Sequence, residues 1–149
     1  MFDRRDLLRV AVGLAAYASV ARAGDEAAPK SAVSASAVSN EGLALAQALA
    51  QCITTGNACL DHCLVLLGSG DTSLAECSKA VRNMLAVCSA TQVLVLSKPV
   101  YVKPAVQLCI DACTDCESAC RKHAEQHVVC KTCADACTAT VKAAHAYLA

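Results

Sequence analysis

From about residue 41 to the C-terminus, apolar positions recur every three or four residues, and three breaks divide the pattern into four segments. The first predicted helix spans Glu41 to Leu67, with Asn40 as N-cap, and stops at Gly68-Ser69-Gly70. The second spans Thr72 to Ser97, starting beside Asp71 and ending before Lys98-Pro99. The third spans Lys103 to Glu125, where Pro104 falls in a first turn that needs no N–H from it. The fourth spans His127 to Leu148. Ala, Leu, Glu, Gln and Lys dominate these interiors, and no strand-like alternation competes. Short connections between segments of similar length make consecutive helices antiparallel neighbours. The expected fold class is therefore all-α, an antiparallel up-down-up-down four-helix bundle.

The inward positions are filled by cysteine. The first helix carries Cys52, Cys59 and Cys63, and the second carries Cys77 and Cys88 with Met84 between them. The third carries Cys109, Cys113, Cys116 and Cys120, and the fourth Cys130, Cys133 and Cys137. At about 100° per residue each set lies on one narrow stripe, the face a bundle helix turns inward. Leu45, Leu49, Leu74, Val81, Val102, Val106, Val141 and Leu148 extend the stripes. Cys63, Cys77, Cys120 and Cys130 lie close to the end that holds the Gly68–Gly70 loop. Cys52, Cys88 and Cys109 lie deepest, roughly 24 Å below that end at about 1.5 Å per residue. Beneath them Leu45, Leu49, Val95, Leu96, Val102, Val106, Val141 and Leu148 form an apolar plug. The pattern thus predicts a thiol-lined tube, sealed at one end, with His123 and His127 at the polar mouth. His62 is expected at the surface and His145 near the plug, without a role. Asp111, Asp115, Glu117 and Asp135 rotate to the solvated outer face.

Composition sharpens this picture. Twelve of 149 residues are Cys, against one Phe, three Tyr and no Trp, so aromatic packing cannot fill the interior. Thirteen basic residues balance thirteen acidic ones, which excludes a nucleic-acid binder driven by a basic surface. A 56% apolar and 17% charged chain is also unlike a disordered one. Residues 1–23 read as a cleavable leader, with Arg4-Arg5 before Leu7-Leu8, an apolar run from Val10 to Val20, and Ala21-Arg22-Ala23 as cleavage site. The arginine pair resembles a twin-arginine export signal and implies a periplasmic destination. The apolar run is about half the roughly 20 residues a span requires, so no membrane span is expected in the mature form. Residues 24–39 read as a flexible tether, and 40–149 as the bundle. No cysteine is lost with the leader.

An exported chain with an even cysteine count invites a disulfide framework. These cysteines sit within continuous helices, however, and i,i+4 pairs hold Cβ atoms about 5–6 Å apart, beyond the roughly 3.5–4.5 Å of a disulfide. Bridges between helices remain the alternative, giving a disulfide-stapled exported bundle that acts as a structural or partner-binding module. Thiolates otherwise select soft metals. Zinc wants a closed set of four ligands, which one helix stripe cannot converge on one ion. The four-cysteine run of helix three lacks the loop and Pro of a ferredoxin motif. Cu(I) accepts two or three thiolates, so i,i+4 and facing pairs can each hold an ion, with Met84 as a further soft ligand. Sulfurs that bridge ions raise capacity to on the order of ten Cu(I) per chain. Cys113/Cys116 and Cys130/Cys133 have Cys-x-x-Cys spacing, but no thioredoxin-like strands surround them, and no thiol stands apart as a nucleophile. The expectation is a store and not an enzyme.

The inward cysteines, above all Cys59/Cys63, Cys109/Cys113, Cys116/Cys120 and Cys133/Cys137, make the chain resemble the bacterial copper storage proteins of the twin-arginine-exported type. The resemblance covers about residues 40–148 and the leader. It implies storage of many Cu(I) ions by core thiolates, a homo-oligomer, and His or Met residues at the open end. Here His123 and His127 are the mouth candidates, while Met84 lies inside and no Met cluster lines the top. A copper-requiring enzyme or chaperone is the implied client.

Overall fold

Ser39 opens the first helix: its backbone is extended, at φ −64° and ψ 162°, and its Oγ accepts the Gly42 N–H at 3.1 Å. Asn40, expected as the cap, is already helical, so the cap lies one residue earlier and belongs to the end of the tether segment. The computed structural model describes residues 38–149; the leader and residues 24–37 lie outside the described residues. Helix α1 runs Asn40–Gly68, α2 Ala75–Ser97, α3 Val102–Arg121 and α4 Val128–Leu148. No strand occurs among the described residues.

Two boundaries, the start of α2 and the end of α3, differ by several residues from those the sequence predicts, each for a local reason. Helix α2 starts at Ala75 because Asp71 Oδ1 accepts the Ser73 N–H at 2.9 Å, which folds residues ahead of it into an Asx turn. It ends where Lys98 turns left-handed, at φ 52°, immediately before Pro99. Helix α3 stops at Arg121, short of Glu125, because the chain tightens into turns. There the N–H groups of Gln126 and His127 both donate to the carbonyl of His123, at 3.1 and 2.9 Å.

Each helix packs against two neighbours, α1 on α2 and α4, and α3 on α2 and α4. Side-chain contacts give the register. Between α1 and α2, Cys52 meets Met84 while Gln92 Nε2 donates to the carbonyl of Ala46. Between α1 and α4, His62 meets His127, Cys59 meets Cys130, Cys52 meets Cys137, and Thr140 Oγ1 donates to the carbonyl of Ala48. As one partner number rises the other falls, so these pairs are antiparallel, as in an up-down-up-down bundle. Gly56 permits the close approach of α1 and α2: a Cβ there would stand 2.7 Å from Met84 Cε.

The core divides by height into hydrocarbon and sulfur. Leu45, Leu49, Val95, Val106 and Ala144 are fully buried at the closed end. Thr91 and Thr140, also buried there, return their hydroxyls to carbonyls one turn back, those of Val87 at 2.8 Å and Ala136 at 2.9 Å. Among the described residues no buried side-chain nitrogen or oxygen lacks a partner. The plug is narrower than expected. Val95 takes the inward position and Leu96, one residue on, is 48% exposed, while Val102, Val141 and Leu148 are half-buried at the rim. Asp111, Asp115 and Asp135 face solvent as expected. Glu117 is half-buried and accepts from Thr138 Oγ1 at 2.8 Å. Helix α2 is long and apolar enough to cross a membrane by length and composition, with a mean hydropathy of 1.3. Its inward stripe, Cys77, Val81, Met84, Cys88, Thr91 and Val95, is nevertheless buried in the bundle.

Because Leu49 is fully buried in the plug, Leu49→Ala is expected to cost about 2–5 kcal/mol of unfolding free energy. Leu43→Ala, on a side chain 47% exposed, should change it by less than about 0.5 kcal/mol. Urea unfolding followed by helicity measures both, and equal effects would mean that this end is not packed.

Candidate metal centre

All twelve cysteines are buried, with at most 1% of any residue exposed, and all twelve thiols are free. The stapled alternative therefore has no bridge here. The shortest hydrogen bonds between cysteines, Cys77 with Cys120 and Cys88 with Cys113, leave the sulfurs 3.5 Å apart, against about 2.05 Å in a disulfide. Most close contacts run between helices. Cys88 meets Cys109 at 3.7 Å, Cys116 meets Cys133 at 3.9 Å, and Cys52 meets Cys137 at 3.7 Å. Cys59 reaches Cys130 at 3.8 Å and, across the bundle diagonal, Cys120 at 4.0 Å. Cys109 and Cys113 touch within one helix at 3.9 Å. Sequence spacing stresses such i,i+4 pairs; in the folded bundle the facing helices supply most of the neighbours.

The sulfurs group into compact sets. Cys59, Cys63, Cys77 and Cys130 all lie within 4.8 Å of one another, and so do three triads. These are Cys59/Cys120/Cys133, Cys116/Cys133/Cys137 and Cys52/Cys88/Cys113. Cys59 links the tetrad to the first triad, Cys133 links the first triad to the second, and the Cys137–Cys52 contact reaches the third. Cys109 joins through Cys88 and Cys113. One unbroken ladder of sulfur thus runs down the bundle axis. The tetrad leaves intact the expectation that one helix stripe cannot converge four thiols on one ion, because it draws on several helices. Here α1, α2 and α4 each contribute.

Met84 is fully buried and its Sδ accepts from the Cys52 thiol at 3.4 Å, at the deep end of the ladder. At the mouth, His123 and His127 have ring centroids 6.5 Å apart. His62, expected at the surface, joins them: its Nε2 lies 3.1 Å from His127 Nδ1, and the residue is half-buried. Its position beside Cys63, the uppermost thiol of α1, was the available signal. The turn that ends α3 early is what brings the opposing histidines within reach.

Crowding so many thiols splits their acidities. Burial pushes Cys63 up to about 12 and Cys130 up to about 11, and the charge of Cys77 adds to both. Cys77 is drawn well below an ordinary thiol by the S–H groups of Cys120 and then Cys59. Cys109 is lowered likewise by Cys113 and Cys88, while Cys88, hydrogen-bonded to Cys109 and Cys113, is raised. Neighbouring thiols thus differ in acidity: Cys77 and Cys109 are drawn down by the S–H groups around them, and Cys88 is pushed up.

This predicts an alkaline limit for the reduced, metal-free chain. Unfolded thiols lose their protons near pH 9, whereas folded Cys63 and Cys130 hold theirs to about 12 and about 11. Above pH 9 the folded state binds more protons than the unfolded one, so its stability is present below pH 9 and falls as pH rises through 11 to 12. The urea midpoint should fall over that window. A midpoint that stays level from pH 9 to about 12 contradicts it.

A search of the curated proteins finds no match. The protein-family comparison does: the family described as copper storage protein matches residues 38–149, which take in all four helices and all twelve cysteines. With its buried sulfur ladder on a four-helix scaffold, the chain belongs to the copper storage protein family.

Proposed function

We propose that this chain stores several Cu(I) ions, bound by the thiolates of Cys52, Cys59, Cys63, Cys77, Cys88, Cys109, Cys113, Cys116, Cys120, Cys130, Cys133 and Cys137. The carrying observation is the continuity of the ladder: each sulfur set shares an atom with the next or touches it. Three-sulfur sets suit a soft ion that accepts low coordination, and shared sulfurs such as Cys59 and Cys133 allow bridging.

Charge balance favours the same ion. When Cu(I) replaces the proton of one thiol, one positive charge leaves as another enters, so the buried core gains no net charge. A core of buried anions or cations would cost far more. A store of on the order of ten ions is therefore compatible with an interior in which, among the described residues, no carboxylate is buried. Met84 adds a neutral soft donor beside Cys52. His62, His123 and His127 serve as the port, being the ligating side chains clustered where the ladder meets the polar end. All twelve thiols are buried away from solvent, which suits storage over catalysis. The leader read in residues 1–23 sends the store to the periplasm by the twin-arginine route. Family membership supports assembly into a homo-oligomer that serves a copper-requiring enzyme or chaperone.

Reduced, metal-free protein should take up about ten Cu(I) per chain with high affinity and little change in helicity. Copper loading should also flatten the alkaline loss of stability, since bound thiolates have no proton left to lose. Saturation at one or two ions sinks the proposal. A thiol count on protein unfolded without reductant separates the stapled alternative: twelve free thiols are expected, and few would favour bridges.

A further inference from the structure

The tetrad at the mouth differs from the rest of the ladder in number, charge environment and geometry. Cys59, Cys63, Cys77 and Cys130 are the one set among the described residues in which four sulfurs lie mutually within 4.8 Å. A tetrahedral zinc site with Zn–S bonds of about 2.3 Å has sulfurs about 3.8 Å apart. The Cys59–Cys130 separation is already 3.8 Å, so the others need contract by no more than about 1 Å. Three helices supply the ligands, which leaves each sulfur free to approach from its own direction.

Electrostatics point to the same place. Four thiolates around a divalent ion carry two net negative charges, which need a compensating positive field close by. Cys77 is the third residue of α2 and Cys130 the third of α4. Both helices begin without a side-chain cap, after Leu74 and His127, so their positive ends are left to act on the two sulfurs. Helix α1, whose start at the closed end is capped by Ser39, has no such role.

We propose that Cys59, Cys63, Cys77 and Cys130 bind one Zn(II) ion tetrahedrally at the mouth, as a site distinct in charge and coordination from the three-sulfur sets below. Binding forms four Zn–S bonds and expels the protons still held by the four thiols. Cys59 also belongs to the triad with Cys120 and Cys133, so zinc and copper compete for one sulfur. Zinc therefore closes the top of the ladder until copper displaces it. The site uses thiols assigned to copper above, but it stands whether or not the chain stores copper.

The test is a titration of the reduced, metal-free full chain with Zn(II) against a chromophoric chelator. The expected result is one tightly held Zn(II) per chain, with proton release. Cd(II) in its place should show thiolate-to-cadmium charge-transfer absorption for a single ion. Cys63→Ser and Cys130→Ser should each weaken zinc binding by about 100-fold with helicity retained. Cys109→Ser, at the far end of the ladder, should lower copper content and leave zinc uptake as it is. No retention against the chelator, several equivalent zinc ions, or equal weakening by Cys63→Ser and Cys109→Ser would each overturn the proposal. Subsequent Cu(I) titration should release the zinc as copper loads. One zinc with fewer than three coppers defeats the storage reading alone; about ten coppers without tight zinc defeats the zinc site alone.

Discussion

Sulfur atoms from four helices have to meet along one axis, and the rest of the bundle follows from that requirement. A thiol is short and apolar enough to be buried like a small hydrocarbon side chain. It is also polarizable enough to make weak hydrogen bonds with its own kind at 3.5 to 4.0 Å. Longer ligands would push the helices apart, and carboxylates or imidazoles in the same positions would demand polar partners the core does not contain. The diagonal contact of Cys59 with Cys120 shows how far this goes: two sulfurs on helices that do not pack together still touch. Buried thiols therefore pack the bundle and, in the proposed store, supply its ligands.

That dual role explains the division of labour by height. A column of thiols supplies little hydrocarbon, so cohesion is concentrated where Leu45, Leu49, Val95 and Val106 close one end. The opposite end carries the polar elements: two uncapped helix starts, the turn after α3, and His62, His123 and His127 in ring contact. The protein is anchored at one end and chemically accessible at the other. Splitting of thiol acidities follows from the same crowding, because a thiol that accepts its neighbours' S–H bonds is made more acidic and its partners less so.

Much of this was legible before folding was considered. Steps of three, four and seven between cysteines place each set on one helical face, and Gly68–Gly70 and Lys98-Pro99 mark two of the connections. Heights could be counted from those connections, so the plug and the mouth were both anticipated. Smaller features escaped for identifiable reasons. Ser39 and Asn40 are both good caps, and only backbone geometry chooses between them. Leu96 was drawn into the plug because it neighbours Val95 in a continuous apolar run, where a single residue's rotation of about 100° decides burial.

Periodicity along one chain determines what each helix turns inward, because 3.6 residues per turn is a property of the backbone alone. It therefore determined the fold class, the twelve buried thiols and the order in which each helix presents them. Partners across the axis depend on how four helices are staggered and how closely each pair approaches, which no single stripe encodes. Only the tertiary structure could bring Cys59, Cys63, Cys77 and Cys130 from three helices to one point, or set His62 of α1 against His127 at the start of α4. The coordination number available to a metal is set at that level, since it counts sulfurs in space and not along the chain.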